Sequence, residues 1–103
     1  MHPFPIPAGL QDRRRLRVEL RAPLPQAARD RAHEHVRMLL SAGGTAVLVC
    51  DVHGDVDLGV VDLLARLSLT ARRRRARVLV RADGDDLADL LRLTGLDRRI
   101  EAG

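Results

Sequence analysis

Apolar residues along this chain switch period several times, and each switch marks a change of element. From Arg15 to Arg21 they alternate strictly, with Leu16, Val18 and Leu20 facing one way and Arg15, Arg17, Glu19 and Arg21 the other. A period of two predicts a half-buried strand. Pro23 and Pro25 end it, and Pro25 suits the first turn of the next helix. From Gln26 to Leu40 the apolar residues Ala28, Ala32, Val36 and Leu39 or Leu40 recur at helical steps. That spacing predicts an amphipathic helix with Arg29, Asp30, Glu34 and Arg37 outward, closed by Gly43-Gly44. Thr45 to Val52 is nearly unbroken apolar sequence, too short for a helix between Gly43 and Gly54. It predicts a central strand buried on both faces.

The stretch from Asp55 to Arg77 organises the rest: an acidic loop, a well-patterned helix and an arginine cluster where the helix stops. With Asp57 as N-cap, Val56 and Val61 fall on the hydrophobic-staple positions. Val60, Leu64, Leu67 and Ala71 form the core stripe, widened by Val61, Leu63 and Thr70. Ala76 to Arg81 alternates again, with Val78 and Val80 on one side. Asp83 to Thr94 predicts a short helix, capped by Asp83 or Asp85, with Leu87, Leu90, Leu91 and Leu93 as its apolar face. Gly95 stops it and Leu96 folds back as the hydrophobic partner of that cap. In the tail, Ile100 is a last anchor. Strands joined by helices pair as parallel neighbours with right-handed crossovers. The expected fold is therefore α/β, a single domain over 13–103 with a small, mixed but mostly parallel sheet of about four strands and helices packed against it. Met1 to Leu10 carries Pro3, Pro5 and Pro7 on alternate positions, which blocks helix and ladder. Residues 1–12 read as an extended arm: a loose terminus, a short edge strand, or an arm across a dimer partner.

Three stretches of this pattern resemble the STAS domain, the fold of anti-sigma-factor antagonists and of small regulatory subunits of lipid and anion transporters. Val47-Leu-Val-Cys-Asp-Val52 resembles the central strand with its terminal Asp, and Val61 to Arg75 resembles the helix that follows. Leu87-Ala-Asp-Leu-Leu-Arg-Leu-Thr-Gly-Leu96 resembles the last helix with its Leu-x-x-x-Gly-Leu close. The resemblance spans about residues 14 to 100, with short actinobacterial-type STAS proteins the nearest group. In that family the loop before the helix usually reads Asp-Ser-Ser-Gly, and a serine there accepts phosphate from an anti-sigma kinase. Counting back from Ala71-Arg72 sets that motif on Asp57-Leu58-Gly59-Val60, with the acceptor at Gly59; matching the glycines instead sets it at Leu58. Neither has a hydroxyl, so the usual switch is expected to be absent. Arg75 also departs from the family, which places Gly after the arginines; a rebuilt helix end is expected there. The resemblance implies a non-enzymatic interaction domain whose partner surface is Asp55, Asp57, Leu58 and Gly59 with Asp62 and Arg66 of the first helical turns. The partner it implies is an anti-sigma factor or kinase, with the ATPase of a lipid-type ABC transporter as the alternative. It leaves a homodimer open and implies no cofactor.

Composition narrows the chemistry further. The chain has 103 residues, 46% of them hydrophobic and 31% charged, too apolar for disorder. Phe4 is the only aromatic residue, so the core is aliphatic and bases have no stacking platform. The net charge of +4 comes entirely from arginine over acids, a bias matching GC-rich coding and thus discounted as a nucleic-acid signal. No nucleic-acid partner is expected. Cys50 is the lone cysteine, a core filler, so internal disulfides and Cys-based zinc sites are excluded. His33 and His35 lie two apart on a helix and do not share a face, which makes them poor co-ligands. His53 beside Asp51 and Asp55 tunes loop charge without any nucleophile to serve. Asp51, Asp55, Asp57 and Asp62 lack the calcium-loop spacing and read as caps and a polar rim. No metal site and no catalytic residue is expected. Arg72 to Arg75 span four consecutive helical positions and share no face; a solvated helix end suits the macrodipole, with contact to an acidic protein, a lipid headgroup or nucleic acid as the other readings. No run reaches the ~18 apolar residues that a membrane span needs, and a cytoplasmic location is expected.

Overall fold

The computed structural model describes residues 15–102. The expected N-terminal arm lies outside the described residues. Strand β1 (Arg15–Arg21) leads into helix α1 (Gln26–Ser41), strand β2 (Val47–His53) into helix α2 (Leu58–Arg73), and strand β3 (Arg77–Ala82) into helix α3 (Asp86–Thr94). A 3-10 turn over Leu96–Arg98 then delivers a short strand β4 (Ile100–Ala102). The four strands lie in the order β1-β2-β3-β4 and every pairing is parallel. The α/β sheet of four strands with helices against it is therefore present, and it is parallel throughout. Its fourth member is the tail around Ile100, expected as an anchor rather than as a strand.

Because consecutive strands are neighbours, right-handed crossovers bring all three helices to the same face of the sheet. One core results. Leu20, Leu48, Cys50, Val52, Val78, Val80 and Ile100 meet Val36 and Leu40 of α1, Val60, Leu63, Leu64, Leu67 and Ala71 of α2, and Leu87 and Leu91 of α3. The stripe expected on α2 is buried in full, joined by Ser68, whose hydroxyl donates to the Ala65 carbonyl at 2.8 Å. On α1 the choice between Leu39 and Leu40 falls to Leu40, with Leu39 38% exposed. On α3, Leu93 is 82% exposed, because a nine-residue helix has one core face and Leu87 and Leu91 fill it.

The opposite sheet face is polar. By alternation it carries Arg15, Arg17, Glu19, Arg21, Asp51, His53, Arg77, Arg81 and Glu101 around an apolar centre of Val47, Val49 and Leu79, and among the described residues no helix covers it. β2 is central, but the expected burial on both faces is only partial: on this face Val47, Asp51 and His53 are half-buried. Val49 is only 1% exposed there, yet it lies outside the core cluster and is sheltered by flanking strands, with Arg17 and Leu79 as direct register partners. Long arginine stems shield apolar surface while the guanidinium stays wet.

Arg75 corrects a second expectation. The helix end is not rebuilt: Arg75 takes φ +58°, in the left-handed region that favours glycine. Its N–H donates to the Arg72 carbonyl at 3.0 Å and the Ala76 N–H donates to the Ala71 carbonyl at 2.9 Å. That is the Schellman pair of bonds, closed here on an arginine. Pro25 occupies the N-cap of α1 rather than its first turn, and Asp85 holds the N-cap of α3 without a side-chain capping bond.

Candidate interaction site

The stretch after β2 is placed by two close approaches. Gly54 turns the chain at φ +89°, and a Cβ there would stand 2.4 Å from the Ala22 carbonyl oxygen. The Ala22 N–H in turn donates to the His53 carbonyl at 2.7 Å, so the β2–α2 loop is pinned to the β1–α1 connection. Asp57 is extended and caps α2, its Oδ1 accepting from the Val60 N–H at 3.0 Å. Val56 packs against the core and Val61 is buried, as the staple requires. The loop thus sits at the carboxyl end of β2, beside the β1–α1 connection.

Leu58 opens the helix and is 68% exposed. Asp55 and Asp57 precede it in the loop, both exposed. Gly59 is different. A Cβ there would meet Arg29 Nη1 at 2.5 Å and the Leu24 carbonyl at 3.2 Å, because Arg29 Nη1 donates to that same carbonyl at 2.8 Å. A side chain at 59 would have to displace the guanidinium from its carbonyl. One of the two positions aligned with the family phosphoacceptor is therefore close-packed, and the other holds an exposed leucine.

Asp62 and Arg66 belong to an ion-pair network that ties α2 to α1. Arg66 donates to Asp30 Oδ1 at 2.9 Å and lies 3.3 Å from Asp62 Oδ2, while Arg29 Nε stands 3.7 Å from the same oxygen. Arg29 Nε is buried without a hydrogen-bond partner, so Asp62 is its electrostatic compensation. Arg29 and Asp30 are site neighbours that sequence reasoning placed only as outward-facing. Their signal was a charge doublet on α1 opposite the i, i+4 doublet Asp62/Arg66, legible only once the two helices are known to touch.

The other polar candidates disperse. Asp51 is not in the loop but on the polar sheet face, between Arg17 at 3.4 Å and Arg81 at 3.7 Å. His53 lies on that face as well, 3.9 Å from Glu19, rather than among the loop acids. His33 Nε2 and Thr70 Oγ1 share a hydrogen bond of 2.8 Å that links α1 to α2, and His35 is exposed. Among the described residues no group of three His, Cys, Asp or Glu is placed to hold a metal ion. Cys50 is fully buried, and burial together with the neighbouring Asp51 charge pushes its thiol up to about 12. A thiol so protonated is a poor nucleophile.

The arrangement is an exposed leucine next to carboxylates, on a helix start whose loop is pinned to the β1–α1 connection. No helix among the described residues is long and apolar enough to cross a membrane. Comparison with known proteins finds no matching family model, no matching curated protein and no matching solved structure.

Proposed function

We propose that the chain is a non-enzymatic protein-interaction domain of STAS type, resembling anti-sigma-factor antagonists, that binds its partner without the usual phosphorylation switch. The observation that carries this reading is Leu58, a large apolar side chain left 68% exposed at the first position of α2. Single exposed leucines are common on protein surfaces. This one stands beyond the carboxyl end of β2, preceded by Asp55 and Asp57 and one helical turn from the Asp62–Arg66 pair, where the resembled family docks its partners. An apolar anchor within a polar rim is the usual anatomy of a protein interface. The partner by this reading is an anti-sigma factor or kinase. The absence of a hydroxyl at Leu58 and Gly59 removes the family's means of release, so binding is constitutive or governed elsewhere in the chain.

The test is a pull-down from the native cell with the wild-type chain, Leu58→Arg and Leu69→Arg. Leu69 is a second exposed leucine of α2, 47% exposed and near the helix's far end. The bound partner is expected to be lost with Leu58→Arg and kept with Leu69→Arg, with both variants melting close to wild type. Equal capture by all three forms removes this surface from the proposal. Asp62→Arg is the weaker probe, because it would set a third guanidinium beside Arg29 and Arg66 and disturb the fold as well.

A further inference from the structure

At the amino ends of β3 and β4, the pole opposite the Leu58 loop, an open pocket of about 330 Å³ is lined by Arg72, Ala76, Arg77, Arg98, Arg99 and Glu101. We infer that this pocket binds a phosphate-bearing anion. Its four guanidiniums come from three separate places in the fold: the last turn of α2, the first residue of β3, and the turn into β4. Glu101 is the one carboxylate in the lining, and it engages Arg77 at 3.6 Å. Among the described residues no carboxylate lies within ion-pair distance of Arg72, Arg98 or Arg99. Outside the pocket six described arginines have an acidic partner among the described residues and six, Arg15, Arg21, Arg31, Arg73, Arg74 and Arg75, have none, so the pocket is set apart by the convergence of its arginines on one recess. The pocket is thus a place where the fold gathers cations and leaves most of them uncompensated.

The end of α2 would oppose an anion if its last carbonyls pointed bare into the pocket. Two of them are capped: the Ala71 and Arg72 carbonyls accept from the Ala76 and Arg75 N–H groups in the Schellman closure, which leaves the full charges of the guanidiniums to outweigh the partial charge of the helix end. Arginine presents a planar fork matched to phosphate oxygens, and several forks around one recess suit a group with oxygens on more than one side. Ala76, 5% exposed, is a small buried wall with no aromatic surface for a base. Recognition therefore rests on the phosphates. A nucleotide-type polyphosphate and a phosphomonoester lipid headgroup share that chemistry.

Calorimetric titration of the full chain with tripolyphosphate at 0.1 M salt tests the site, alongside cosedimentation with phosphatidylcholine vesicles with and without phosphatidic acid. The paired variants are Arg98→Gln/Arg99→Gln, which strips the pocket, and Arg73→Gln/Arg74→Gln, which removes the same charge beside it. All four arginines are exposed, so both forms are expected to fold, checked by their melting curves. Saturable binding by one or both probes is expected, weakened at least ~10-fold in the pocket variant and less than ~2-fold in the control, as loss of charge-assisted bonds at a defined site requires. The probe that saturates at the lower concentration identifies the source of the phosphate. Absence of saturable binding by either probe overturns the site, and so does equal weakening by the two variants, which would mark non-specific attraction to a basic surface.

Discussion

Arg75 carries the clearest local conflict in the chain. It holds φ +58°, where an L side chain crowds its own backbone at a cost of about 1–2 kcal/mol, and nothing about four arginines in a row announces that one of them must be left-handed. The neighbours dictate it: Ala76 has to be delivered, buried, to the foot of β3 while α2 is closed by two Schellman bonds. Arg75→Gly is therefore expected to stabilise the fold by about 1 kcal/mol, less than the full relief because glycine also gains freedom in the unfolded chain. Urea denaturation reads this directly, and an unchanged midpoint would show that the strain has been relaxed elsewhere. Cys50 makes a different kind of prediction. Its thiol is raised from the ordinary 9.0 to about 12, first by burial and then by the Asp51 charge. The folded chain keeps that proton where the unfolded chain loses it, so the contribution of Cys50 is whole below pH 9 and is lost as pH climbs toward 12. The slope is about 1.4 kcal/mol per pH unit. A Cys50→Ala variant should lack this alkaline loss, and native protein at pH 8 should resist thiol reagents until denatured. Rapid labelling of the folded protein would contradict its burial.

At the scale of elements, legibility followed how sharply each stretch separates its two sides. β1 and β3 were readable because arginine and glutamate alternate with leucine and valine, and the structure buries the apolar set against the helices. α2 was readable for the same reason: capped by Asp57 and stapled by Val56 and Val61, it presents one stripe to one core. β2 separates its two sides less sharply. Val47 and Val49 are apolar on the face that holds no helix, and a run of valines looks alike whether its cover is a helix or a pair of arginine stems. β4 was illegible for another reason. Three residues have no period to detect, and Ile100–Ala102 becomes a strand only because β3 offers it an open edge. The Leu58 site was partly legible too. Asp57, Leu58 and the shift to helical spacing fix the helix start, but the reach of Arg29 and Asp30 from α1 depends on a helix–helix contact that local pattern does not encode.

The whole molecule is asymmetric across its sheet, and this has consequences for stability that neither residues nor elements show alone. Parallel sheets are normally covered on both faces. Here all three helices lie on one side, and among the described residues the other side is a surface of five arginines, three carboxylates and His53. Five cations on the two strands that flank β2 would repel one another, and the register sets Asp51 of β2 between them, opposite Arg81 and diagonal to Arg17. Its side chain is 18% exposed and its two partners are 62% and 44% exposed, so the carboxylate is drier than either guanidinium. Exposed pairs contribute little, but a half-dry carboxylate shared by two arginines holds together cations that would otherwise repel. Asp51→Asn keeps the shape and removes the charge. It is expected to cost about 1 kcal/mol in urea denaturation at low salt. Most of that loss should be recovered at 1 M salt, where screening shortens to about 3 Å and the arginines cease to repel. A loss that ignores salt would mean that Asp51 acts through packing, and the polar face would then owe its stability to apolar contacts beneath the arginines rather than to the charges on top of them.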